Sequence, residues 1–163
     1  MDLTGSWTYI QDVARSRLGH NKTSHHIYEF GDSLEVLGAA GELVARRYLG
    51  IDENLHLGFD GGCDLRIAGL RVDVKATVLT PNVIFRFLQW PKEKVIKSDI
   101  IFLTAIDPIT RQGVPLGYAT KEEILKSPVA RERLTPCYEI PVRSLHNPFD
   151  LVAKHLRTLE NSR

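Results

Sequence analysis

The chain has 163 residues, 43% hydrophobic and 25% charged, which is ordinary for a single soluble globular domain. A formal net charge of +1 excludes a protein that coats nucleic acid by bulk charge, so any such partner must be held by local patches. Two cysteines, Cys63 and Cys137, are too few for a disulfide framework and lack zinc spacing, which fits a reducing, cytoplasmic setting.

Residues 6–18 read as a first helix ending at Gly19, without the basic and apolar regions of a signal peptide. The polar, His-rich "HNKTSHHIYEFG" (20–31) reads as a loop. A strong helix is expected over 32–50. Asp32 and Glu35 suggest a capping box at its start, and Gly50 its stop. Leu34, Leu37, Gly41, Val44, Ala45 and Tyr48 form its apolar stripe. Strands are expected at 54–59, 63–68, 70–78, 83–88, 99–106 and 115–119. The run "IIFLTAI" (100–106) has strand length, well short of the roughly 18–20 residues of a membrane span, and its continuity implies burial on both faces. Thr120 and Glu123 cap a short helix to about Lys126. "CYEIPV" (137–142) reads as a late strand. Asn147 as N-cap and Pro148 at the first helical position open a last helix to about Leu159. The expected fold class is α/β, a mixed β-sheet flanked by α-helices. No repeat, low-complexity tract or linker divides the chain, so 1–163 is one domain. Residues 1–31 form its N-terminal helix and loop, 32–127 its core, and 128–163 its C-terminal strand and helix.

The stretch "DLRIAGLRVDVKAT" (64–77) carries the chemistry. It reads as a hairpin with its turn at Ala68-Gly69 or at Gly69-Leu70. The first places Asp64 opposite Asp73, the second opposite Lys75. Side chains alternate along strands, so either register puts Asp64, Asp73 and Lys75 on one face and Leu65, Ile67, Val72 and Val74 on the other. Two carboxylates on strands about 4.8 Å apart can approach one hard cation, and Mg²⁺ prefers one or two carboxylates with water and phosphate oxygens. A merely solvated hairpin face would show the same alternation. Gly61 and Gly62, just ahead of Asp64, allow close backbone approach to a ligand, or simply make a turn. Glu42 sits beside the helical stripe. Gly38 and Gly41 would let that helix pack closely on the sheet and bring Glu42 toward the hairpin; otherwise Glu42 pairs with Arg46 one turn on.

"GELVARRYLG", "GGCDLRIAG" and "LRVDVKAT" together resemble the PD-(D/E)xK nuclease superfamily, the restriction-endonuclease-like fold, across residues 41–77. The order of strands and helices extends the likeness to about residue 127. Asp64 matches the family's first acidic residue, Asp73 and Lys75 its (D/E)xK, and Glu42 its helix glutamate. Cys63 stands where the family often has proline, and Asp60 is a rival for the first acidic role. "VARSRLGHNKTSHH" is similar to segments that precede the Gly-Glu helix in small phage or prophage nucleases, which would place the protein in the cytoplasm of a host. The resemblance implies a core of helix, three-stranded meander, helix and strand, and Mg²⁺-dependent phosphodiester cleavage, with Mn²⁺ substituting. Asp64, Asp73 and the Val74 carbonyl would be ligands, and Glu42 would act through water or at a second ion. Lys75 would position water and stabilise phosphorane charge as a cation, since flanking carboxylates favour its protonated form.

DNA is the expected partner. Arg15, Arg17, Lys22, His25 and His26 make one basic cluster, and Lys92, Lys94 and Lys97 another beside Trp90, which stacks on a base or packs; Gln89 orients a phosphate or a base, or is structural. Each cluster reads equally as solvated surface, and the histidines lack closed zinc spacing. A homodimer is expected if duplex DNA is cut, because that needs two sites. The rival readings are a catalytically inactive nucleic-acid-binding module on the same fold and an interaction protein whose hairpin face is only solvated.

Overall fold

The continuous apolar run near residue 100 becomes the central strand of the molecule. The computed structural model describes residues 1–20, 34–55, 63–80, 84–88, 96–130 and 137–161. A 3-10 turn at Thr4–Ser6 leads into α1 (Trp7–His20) and then α2 (Leu34–Leu49). There follow β1 (Leu65–Ile67), β2 (Leu70–Val78), β3 (Ile84–Leu88), β4 (Ile100–Asp107) and β5 (Gln112–Thr120). The chain ends with α3 (Lys121–Lys126), β6 (Val129–Ala130), β7 (Cys137–Pro141), a 3-10 turn at Val142–Ser144, and α4 (Phe149–Glu160). No helix among the described residues is long and apolar enough to cross a membrane.

The fold is mixed α/β, with a four-stranded sheet in the order β1-β2-β4-β5. β2 and β4 are parallel, and the other two pairs are antiparallel. β4 is buried from Ile100 to Ile106 because elements cover both of its faces. On one face, Val72, Val74 and Phe102 pack with Ala45 and Leu49 of α2 and Leu151 of α4, while Ala76, Val78 and Ile106 pack with α1 and α2. On the other, Ile101 and Leu103 pack with Ile124 of α3 and Tyr138 and Ile140 of β7.

Two expectations are corrected here. The expected single sheet is two, because β3 pairs with β7, and β7 with β6, in a separate three-stranded sheet. The strand expected at 54–59 is not formed at Asn54 and Leu55, and the rest of that range lies outside the described residues.

Local signals held where their chemistry is short-range. Thr120 Oγ1 accepts the Glu123 N–H while the Glu123 carboxylate accepts the Thr120 N–H, completing the capping box. Asn147 Oδ1 accepts the Phe149 N–H at the start of α4. Gly50 stops α2 with φ of 67°. Asp32 lies outside the described residues. Gly41 is buried so tightly that a Cβ there would stand 2.6 Å from both Ala76 Cβ and Thr104 Oγ1. Gly38 has no neighbour within 4 Å of such a Cβ, so of these two glycines it is Gly41 that sets the approach of helix to sheet.

At the start of the parallel pair, Asp99 accepts the Arg71 backbone N–H at 2.9 Å and its guanidinium at 3.2 and 3.0 Å. These bonds, the side-chain ones foremost, lower the Asp99 carboxyl from its ordinary 3.8 to about 2. Glu123 is lowered too, first by the Thr120 backbone N–H and then by His146. A carboxyl with a lower pKa when folded takes up its proton more readily in the unfolded chain, so its stabilisation is present above the unfolded value and is lost as pH falls toward the folded one. Unfolding free energy is therefore expected to decline between about pH 5 and pH 2. Asp99→Asn should make that decline shallower in denaturant titrations across the range, and an unchanged slope would remove Asp99 from the acid transition.

Candidate active site

The hairpin decides its own register through its turn. Ala68 and Gly69 both have positive φ, 48° and 79°, the signature of a two-residue type I′ connection. Ile67 pairs with Leu70, Arg66 with Arg71 and Leu65 with Val72, the register that carries Asp64 toward Asp73. The paired register ends at Leu65, and the Asp64 N–H turns to the carbonyl of Val72, Leu65's own partner, at 2.9 Å, which makes a bulge at the end of β1.

The two carboxylates use this position differently. One Asp64 oxygen accepts the Val74 N–H, filling the ladder position that β1 is too short to reach. Strand alternation sends the Val74 carbonyl to that same edge. Asp73 is held from its own strand: Lys75 Nζ donates to Asp73 Oδ1 at 2.7 Å, with the Asp73 side chain 15% exposed and that of Lys75 45%. Asp73 and Lys75 thus share a face, and that face is half-buried over β2 while its continuation over β4 is fully covered at Ile101 and Leu103. The Asp64 and Asp73 carboxylates and the Val74 carbonyl are hard oxygen donors, the type that Mg²⁺ takes together with water.

Glu42 takes a different place. It is 5% exposed, and Arg17 of α1 grips both its oxygens, Nη1 to Oε1 at 2.6 Å and Nη2 to Oε2 at 2.8 Å. α2 packs on the face of β2 that bears Val72, Val74 and Ala76, opposite the face of Asp73 and Lys75. Close packing at Gly41 therefore turns Glu42 toward α1. Among the described residues no group of three or more His, Cys, Asp or Glu side chains is placed to hold a metal.

The residues expected to touch nucleic acid separate in the same way. Arg17 is an inward ion-pair partner, its side chain 14% exposed. Arg15 is exposed and paired with Asp12 one turn back. Lys97 is exposed. Lys22, His25, His26, Gln89, Trp90, Lys92, Lys94 and the rival acid Asp60 lie outside the described residues.

Sequence reading passed over four residues that frame the site. The helical spacing offers Arg46 only as a partner for Glu42. It is instead buried, donating to the carbonyls of Asp52 and Asp64 at 2.9 and 2.7 Å. Arg66 and Arg71 oppose each other across the hairpin on the face of Asp73, with Arg71 neutralised by Asp99 and Arg66 exposed. Parity of the register would have found Arg66 and Arg71. Nothing local marks Asp99 or the direction of Arg46. Set beside known proteins, the sequence matches no family model, no curated protein and no solved structure, so the functional reading rests on the paired aspartates and their lysine.

Proposed function

We propose that the chain is a Mg²⁺-dependent nuclease hydrolysing phosphodiester bonds of DNA, of the restriction-endonuclease-like class. The observation that carries this reading is that the Asp64 carboxylate accepts the N–H of Val74, the residue between Asp73 and Lys75, while Lys75 is bonded to Asp73. Asp64, Asp73 and the Val74 carbonyl are the groups that would hold the cation. When bound, it supplies charge to the scissile phosphate and acidifies water. Lys75 contributes a fixed positive charge where negative charge builds on the phosphate, and its half-exposed ammonium can orient a water. The exposed Arg66, whose partner Arg71 is two residues and so about 6.7 Å along β2 from Asp73, adds a cation for a neighbouring phosphate. A water-mediated role for Glu42 requires Arg17 to share its carboxylate. Lys97 and Arg15 are the described basic residues left for wider DNA contact.

The test is incubation of the protein with linear, circular, single-stranded and branched DNA in Mg²⁺, Mn²⁺ or EDTA. Cleavage with either metal and none in EDTA is expected. Undiminished cleavage in EDTA would end the mechanism, and binding without cleavage in any metal would assign a binding module instead.

A further inference from the structure

Arg46 poses a question that packing does not answer. A guanidinium 8% exposed is costly to desolvate, and its described bonds go to two main-chain carbonyls. Among the described residues its Nε has no partner. An apolar side chain would fill the same space at less cost. What the fork does is tie residue 52, just after α2, and residue 64, just before β1, to one rigid group on the helix. β1 has only three residues, and Asp64 lies outside it. Three described bonds hold Asp64. Its N–H donates to the Val72 carbonyl, its carbonyl accepts from Arg46, and its carboxylate accepts the Val74 N–H.

We infer that Arg46 is a positioning residue that sets the Asp64 carboxylate at the strand edge beside Val74. The inference rests on reading that edge as a divalent-cation site. Arginine suits the task because its planar fork spans two acceptors, where the single ammonium of lysine holds one at a time. The charge is retained in Arg46→Lys, so that variant isolates the fork.

The experiment uses the full chain, wild type and Arg46→Lys, with Asp64→Ala and the double variant. Hydrogen exchange at the Val74 amide is followed without metal, Mn²⁺ binding is measured by calorimetry, and thermal stability is recorded. Exchange at Val74 is expected to quicken about tenfold in Arg46→Lys, and the Mn²⁺ dissociation constant to rise about tenfold, the scale of losing a group that orients a ligand. Amides paired between β2 and β4 should keep their protection. Asp64→Ala, which removes the acceptor of the Val74 N–H, should quicken Val74 exchange alike, and the double variant should add nothing. Wild-type exchange at Val74 in Arg46→Lys would overturn the inference. So would a uniform loss of protection across β2 and β4, which would mark Arg46 as a general stabiliser. If the wild-type protein binds no Mn²⁺, the cation reading fails, while Val74 exchange still decides whether Arg46 positions Asp64.

Discussion

Arg17→Met is expected to lower the unfolding free energy by about 3–5 kcal/mol, because it leaves a buried carboxylate without its counter-charge. Both Glu42 oxygens are bonded by Arg17, and the two side chains are 14% and 7% exposed. The loss is a large share of the roughly 5–15 kcal/mol by which a folded domain is usually stable. Removing both charges, as in Arg17→Met with Glu42→Leu, should recover most of it, since a buried pair repays little beyond its own desolvation. Arg15→Ala on the same helix is the control. Its pair with Asp12 is exposed and contributes about 0–1 kcal/mol. Urea denaturation of the three variants and the wild type decides; a cost below about 1 kcal/mol for Arg17→Met would mean that water reaches the pair.

Asp73→Ala and Lys75→Ala are expected to remove cleavage while leaving the fold intact, for different reasons. Asp73→Ala deletes a proposed ligand, so affinity for Mg²⁺ should fall. Lys75→Ala deletes a cation that competes for Asp73 Oδ1, so Mg²⁺ affinity should hold or rise slightly, while turnover drops about 10²–10³-fold for want of a charge on the reacting phosphate. Without metal, Asp73→Ala should bind DNA no worse than wild type, because one carboxylate no longer repels phosphate. Stability should change little in either case, since the ion pair is partly solvated and lies on the half-buried face of β2. Parallel measurements of cleavage, metal affinity and DNA affinity separate the roles. Wild-type cleavage by Lys75→Ala would make Lys75 a surface lysine and sink the catalytic reading of Asp73-Val74-Lys75.

What the sequence by itself determined was whatever depends on a few consecutive residues. A two-residue period places Asp73 and Lys75 on one face and Val72 and Val74 on the other whatever the turn, and the structure keeps that parity. The capping box at Thr120 and Glu123, the glycine stop at Gly50 and the buried run of β4 are local in the same sense. The hairpin register was decided by whether Ala68 would accept a positive φ, which alternation leaves open. Everything that required knowing where a remote segment would lie belonged to the tertiary structure alone. α2 packs on the far face of β2, so Glu42 meets Arg17 rather than the hairpin. Arg46 turns to two carbonyls rather than to the carboxylate one turn away. β3 leaves the main sheet to pair with β7. Arginines, with long side chains and five donors, take whichever acceptor the packing of distant elements brings within reach.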